Sequence, residues 1–226
     1  MSAQPSHDEP AGGGLGVVAP ERTRDAERTR ADILAVATRE FADQGYAGAR
    51  INEIAAKTST TKRMIYYYFG GKEGLFTAVL QRAYARIRAL EQQVDVDHLD
   101  PEAAIRRVAE LTFDHHESHP DFIRLVSIEN THRAEHLKKL DGLARLNRPA
   151  ISVLEDILTR GYQTGVFRRN VDAIDLHMLI SGFCVFRVAN RYTFQTIFGR
   201  DMMSNRLRRR YRQLVGDMVV SYLTTD

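Results

Sequence analysis

From residue 25 onward, apolar residues recur with the period of an α-helix. Ile33, Leu34, Ala37 and Phe41 fall at i, i+1, i+4 and i+8, which predicts a helix over 25–44 ended by Gly45. Ile51, Ile54 and Ala55 mark one face of a short second helix, 51–57. Thr61 is placed to cap a third, in which Ile65 and Phe69 share a face until Gly70-Gly71 stops it. A long helix over 72–93 carries Leu75, Phe76, Val79, Leu80, Ala83, Ile87 and Leu90 on one side. The Asp-rich stretch 94–101 reads as a loop, and Pro101 suits the first turn of the next helix, which stops near His119-Pro120. Helices are predicted over 121–130, 133–146, 149–164, 172–197 and 202–223, with a connector at Gly165-Val166-Phe167. Strand-like alternation is absent, so the fold class is all-α.

Composition adds limits. The 226 residues are 43% hydrophobic and 27% charged, ordinary values for a globular chain able to bury a sizeable core. A net charge of +3 is too small to indicate a polyanionic partner by itself, so any basic patch must be local. The apolar run Leu179–Phe186 is broken by Ser181 and Gly182 and followed by Arg187, which marks a buried helix rather than a membrane span. The lone Cys184 excludes an intramolecular disulfide framework and fits a reducing, cytoplasmic setting. Residues 1–24, with Gly12-Gly13-Gly14 and three prolines, lack the pattern of a signal peptide and are expected to form a disordered tail.

The densest chemistry lies in 51–72, INEIAAKTSTTKRMIYYYFGGK. A helix-turn-helix needs small residues where its helices touch, a tight turn, and polar or basic side chains outward on the second helix. Ala55 and Ala56, Thr58-Ser59-Thr60, and Lys62, Arg63, Tyr66, Tyr67 and Tyr68 answer these in turn. Three consecutive tyrosines cannot all face one core, so at least one hydroxyl must point outward. Two other clusters invite chemistry. His115 and His119 share a helical face, as some zinc ligands do, but no Cys cluster or second His pair accompanies them; surface or pocket histidines are the reading adopted, with no metal. The arginines of 206–212 flank an apolar seam of Leu207, Tyr211, Leu214 and Met218, and read as a solvated face or dimer-edge ion pairs. A helical metal-dependent enzyme built on His115, His116 and His119 is the rival class, but no nucleophile, phosphate loop or paired-carboxylate motif supports it. The chain is therefore read as non-enzymatic and cofactor-free.

In residues 33–80, Phe41-Ala42-Asp43-Gln44-Gly45-Tyr46, Ile54-Ala55, Ile65-Tyr66-Tyr67-Tyr68-Phe69 and Lys72-Glu73-Gly74-Leu75 follow in an order that resembles the TetR family of bacterial transcriptional regulators. The resemblance implies a three-helix DNA-binding domain over 25–71 and a helical ligand-binding and dimerisation domain over 72–226. It also implies a homodimer on double-stranded operator DNA, most often a repressor, released by a small-molecule inducer; a regulator without an inducer is the alternative. Position by position, Arg50 and Asn52 face DNA, Lys62, Arg63 and Met64 read base edges, Thr61, Tyr66, Tyr68 and Lys72 hold phosphates, and Tyr67 suits either role. The turn departs from the family's Ala-Gly-Val, and Ser59 in a left-handed conformation would cost about 1 kcal/mol. Candidate inducer contacts are Phe113, His116, Phe122, Leu125, Glu129 and His132, with Leu158, Tyr162, Phe183, Arg187 and Asn190 from later helices; each suits core or interface equally. Ile151, Leu154, Ile157 and Leu158, with Ile180, Phe183, Phe186 and Phe194, are the expected dimer interface, paired as a four-helix bundle.

Overall fold

The computed structural model describes residues 20–92 and 96–225. Among them lie ten α-helices and no strand: α1 (Pro20–Gly48), α2 (Ile51–Ala56), α3 (Lys62–Phe69), α4 (Lys72–Gln92), α5 (Pro101–Ser118), α6 (Pro120–Thr131), α7 (Leu143–Gln163), α8 (Ala173–Ala189), α9 (Arg191–Phe198) and α10 (Asn205–Thr224). Helix caps follow local chemistry. The Thr61 hydroxyl accepts from Met64 N, and the Asp100 and Asp172 carboxylates cap α5 and α8. Gly45, at φ 70°, interrupts α1 where the sequence places its end. The tail expected over 1–24 lies outside the described residues as far as residue 19, and 20–24 already belong to α1.

Two apolar cores organise the helices. The first gathers Ile33, Phe41, Ile54, Ile65, Phe76 and Leu80 from α1–α4, together with Leu125 of α6. The second gathers Ile105, Phe113, Ile157, Leu176, Val215 and Leu223 from α5, α7, α8 and α10. Helix α4 contributes Leu75 to Leu80 to the first core and carries Ile87 beyond it.

The structure corrects the sequence expectations in several places. The helix expected over 133–146 does not form. The Glu129 carboxylate, buried on α6, accepts from the backbone N–H groups of His136 and Leu137 and pairs with His136 Nδ1 at 2.8 Å. This folds 132–140 back over α6, with Arg133 and Ala134 left-handed (φ 56° and 57°) and a 3-10 turn at Leu137–Lys139. Satisfying a buried charge outweighs helical propensity there. Helix α7 starts at Leu143, after the left-handed Gly142, and runs through Pro149 rather than beginning at it. The single helix expected over 172–197 is two, bent by 69° at Asn190, whose side-chain amide donates to Phe186 O while Thr193 Oγ1 donates to its own carbonyl. Ser59 is not left-handed, because positive φ outside glycine occurs only at Arg133 and Ala134 among the described residues. The turn therefore carries no such strain.

Candidate nucleic-acid interface and ligand cavity

Helices α2 and α3 form a helix-turn-helix braced on α1. Ile51, Ile54, Ile65 and Phe69 turn inward, and Lys57 of the turn pairs with Glu40 of α1 at 2.6 Å. The opposite side of α3 is open. Lys62 and Arg63 are exposed, and Tyr66 and Tyr67 are 48% and 77% exposed. Adjacent exposed aromatic rings beside two cations form a contiguous patch of the kind that marks an interaction surface. Lys62 Nζ lies 5.9 Å from the Tyr66 ring centroid, and Tyr67 meets Tyr68 edge-to-face at 5.3 Å. Arg50 and Asn52 at the start of α2 are exposed on the domain surface, whereas Met64 and Tyr68 are half-buried. The Thr61 oxygen is used by the cap, but its hydrogen remains able to donate to a phosphate. Lys72 is partly turned inward. Its Nζ donates to Ala47 O at 3.1 Å and sits 5.1 Å from the Tyr46 ring, and burial, with Arg50 nearby, lowers its pKa.

Glycine sets the spacing between α3 and α4. Gly70 (φ 71°) and Gly71 (φ 140°) make the corner, and a Cβ on Gly74 would lie 1.9 Å from the Phe69 carbonyl oxygen. Gly74→Ala must push the end of α3 outward. We expect at least tenfold weaker DNA binding and a loss of about 1–3 kcal/mol in urea unfolding; wild-type values in both would exclude glycine as the spacer.

A cavity of about 240 Å³ opens in the C-terminal half, walled by α4, α5, α7 and α8. Ile87, Val108, Leu111, Val153, Leu154 and Ile180 supply its apolar lining, and Thr112, Asp114, His115, Ser118, His119 and His177 its polar edge. His115 and His119 stack at 4.3 Å. Burial, with neighbouring positive groups adding to it, depresses His115 to about 3, and burial depresses His116 to about 4. The unfolded imidazoles take up protons near pH 6.5 that the folded ones refuse until far lower pH. Stability from this source is therefore fully present above pH 6.5 and is lost as pH falls toward 4. Urea unfolding at pH 7 and pH 5 should show the drop, and His115→Phe should flatten it; an unchanged slope in the variant would contradict the assignment.

None of the eleven expected inducer contacts lines this cavity. Leu125 belongs to the N-terminal core, and Phe113 and Leu158 to the C-terminal one. Glu129 is committed to 136–137, and His116 Nδ1 to Thr112 O. The Tyr162 hydroxyl bridges Arg169 O and Val171 N. Phe122 and Phe183 border other surface depressions, His132 is exposed, and Asn190 makes the bend. Arg187 is buried in an ion pair with Glu117 at 2.7 Å, lies 4.0 Å from the Phe113 ring centroid, and borders the same depression as Phe183 rather than the cavity. The sequence signal for the cavity is the His115/His119 pair itself, which stands at its polar edge. Among the described residues, no group of three or more His, Cys, Asp or Glu is arranged to hold a metal ion. Cys184 is buried in the core, which pushes its thiol up to about 12. Two of the arginines on α10 face inward: Arg208 and Arg212 pair with Asp114, and Arg212 also with Glu110.

An outward basic and aromatic helix, held by a helix-turn-helix and joined to a cavity-bearing helical bundle, defines a DNA-binding regulator. Residues 33–79 match the family described as bacterial regulatory proteins, tetR family, and residues 101–219 match the tetracyclin repressor-like C-terminal domain. The chain is 32% identical over 199 residues to the HTH-type transcriptional repressor NicS of Pseudomonas putida, spanning 88% of this chain and 94% of that protein. Its fold is similar to a tetR-family regulatory protein from Rhodococcus RHA1 (TM-score 0.66, 20% identity, covering 85% of this chain and 97% of that one). It is also similar to the regulator FadR from Bacillus subtilis, solved with stearoyl-CoA (TM-score 0.63, 16% identity, 86% and 97%). The chain belongs to the TetR family of DNA-binding transcriptional regulators.

Proposed function

We propose that the protein is a homodimeric repressor that leaves its operator when a small molecule fills the cavity between α4, α5, α7 and α8. The observation that carries this reading is the path of α4. Ile87 stands in the cavity wall, and fifteen residues earlier, about 22 Å along the same helix, Lys72 stands beside α3. A ligand that displaces Ile87 tilts a rigid rod whose other end positions the recognition helix. Control then requires that the ligand bind better to the tilted state.

The dimer reading shifts from its sequence form. Leu154, Ile157, Leu158 and Ile180 lie inside the protomer's own core, and Ile151, Phe183 and Phe194 are half-buried; Phe186 alone of the eight is well exposed. Beyond α3, the exposed large apolar side chains among the described residues are Ile174, Met178, Leu179 and Phe186 on α8, Tyr192, Ile197 and Phe198 on α9, and Leu214, Met218 and Tyr222 on α10. They support pairing through α8 and α10, with α9 at its edge, rather than α7 and α8. Phe186→Glu together with Met178→Lys should give a monomer by light scattering and weaken operator binding at least tenfold; a dimer retained at micromolar concentration would refute the placement.

Cavity control is tested by Val153→Trp, which fills the space as an inducer would. Fluorescence anisotropy on the operator should show at least tenfold weaker binding with the dimer intact. Wild-type affinity in this variant would count against control through the cavity.

A further inference from the structure

We propose that the cavity selects a small, uncharged, largely apolar molecule carrying a hydroxyl group, and that His115 is the residue that reads the hydroxyl. This rests on the cavity being the ligand site and goes further by naming what it takes.

Charge comes first. Among the described residues no lysine or arginine lines the cavity, and the single carboxylate in its wall, Asp114, is occupied on both oxygens, Oδ1 by Arg208 at 2.9 Å and Oδ2 by Arg212 at 3.0 Å. Arg86 and Arg88 are near enough to act on His115 but stand outside the lining, so a bound anion would be stripped of water with no cation in the wall to pair with it, and a bound cation would find Asp114 already paired. The His115 imidazole is neutral at pH 7, since its burial already holds its pKa at about 3. The space therefore suits a neutral guest. At about 240 Å³ it falls just below the range of about 300–1,000 Å³ usual for drug-sized ligands, so the guest is small.

Hydrogen bonding then singles out one residue. Thr112 Oγ1 donates to Val108 O, Ser118 Oγ donates to Asp114 O, His119 Nδ1 is bonded to His115 O, and His177 Nε2 is in contact with Ser181 Oγ. His115 differs: it is 8% exposed, and its Nδ1 is buried without a partner among the described residues. A buried polar atom left unpaired is costly, and a site where a ligand supplies the missing partner is a recurring reason for one. A neutral imidazole offers one donor and one acceptor, in an order set by its tautomer. A hydroxyl both donates and accepts, so it satisfies either tautomer. The ring stacks on His119, and because Nδ1 is itself buried, the contact requires the ring to turn toward the guest.

The probes are 4-ethylphenol, the near-isosteric 4-ethyltoluene and the anionic 4-ethylbenzoate, each titrated calorimetrically into the full-length protein at pH 7.5. The phenol should bind at least tenfold more tightly than either of the others. His115→Phe should bring the phenol and the toluene to equal affinity, while His115→Gln, which keeps a hydrogen-bonding group, should retain part of the preference. Both variants are read only with a wild-type circular dichroism spectrum, and if His115→Phe unfolds, His115→Gln with the three wild-type titrations decides. Tightest binding of the benzoate, equal phenol and toluene in the wild type, or no binding of any probe would overturn the assignment. The reading of the cavity as the control site fails separately, if the phenol binds as described yet leaves operator affinity unchanged.

Discussion

Replacing Lys62 and Arg63 together by alanine is expected to weaken operator binding by at least about 100-fold while leaving the fold intact. Both side chains are exposed on α3, and neither is in an ion pair with another described residue. Their removal therefore costs no core packing. Each such base or phosphate contact contributes about 1–3 kcal/mol, and a dimer presents every one twice. The two roles separate by salt. Removing a side chain that holds a phosphate lowers the slope of log affinity against log salt by about one, whereas removing one that reads a base relaxes sequence preference. Single substitutions followed by anisotropy titrations over a range of salt concentrations therefore assign each residue. Unchanged affinity in the double variant, with a wild-type circular dichroism spectrum, would remove α3 from the interface.

Glu117→Ala should be the most destabilising single change outside the apolar cores, at about 3–5 kcal/mol in urea unfolding. Glu117 Oε2 accepts from Arg187 Nη2 at 2.7 Å and Arg208 Nε at 3.1 Å, joining α5 to α8 and α10. The Arg187 side chain is only 3% exposed. Its remaining contacts are Met202 O, the Met203 sulfur and the Phe113 ring, and none carries a balancing negative charge. The cost of the substitution lies in the charge left behind rather than in the bond removed. Pairing Glu117→Leu with Arg187→Met should recover most of the stability, since a buried ion pair replaced by apolar groups of similar size is often neutral. A change below about 1 kcal/mol for Glu117→Ala would show that Asp114 or water takes over the guanidinium.

The N-terminal half is largely legible in the sequence because its signals are local. Thr61 as a cap, Ile65 and Phe69 inward, Gly70-Gly71 as a stop and Gly45 as a break each follow from a few neighbouring residues. The C-terminal half depends on which partner a side chain finds, and periodicity is silent about that. Ile157 and Leu158 mark an apolar face equally well whether it covers the protomer's own core or a second copy. Glu129 reads from the sequence as a candidate inducer contact until His136 and Leu137 fold back onto it, and that reversal is what removes the helix expected over 133–146. Arg187 stands out as a polar residue in an apolar helix, yet its partner lies seventy positions earlier in Glu117. The cavity is hidden for the same reason: His115, His177 and Ile87 sit on three helices and meet only in the fold.

The most direct test is selection from a pool of random DNA duplexes by the purified protein, followed by sequencing of what it retains. Two recognition helices related by a dimer axis should enrich a palindrome whose half-site centres lie about one helical turn, or a multiple of it, apart. Enrichment should vanish with Lys62→Ala/Arg63→Ala and weaken with the monomeric α8 variant. A pool that stays random, or a single unrepeated site retained equally by the monomer, would contradict a paired reader of DNA.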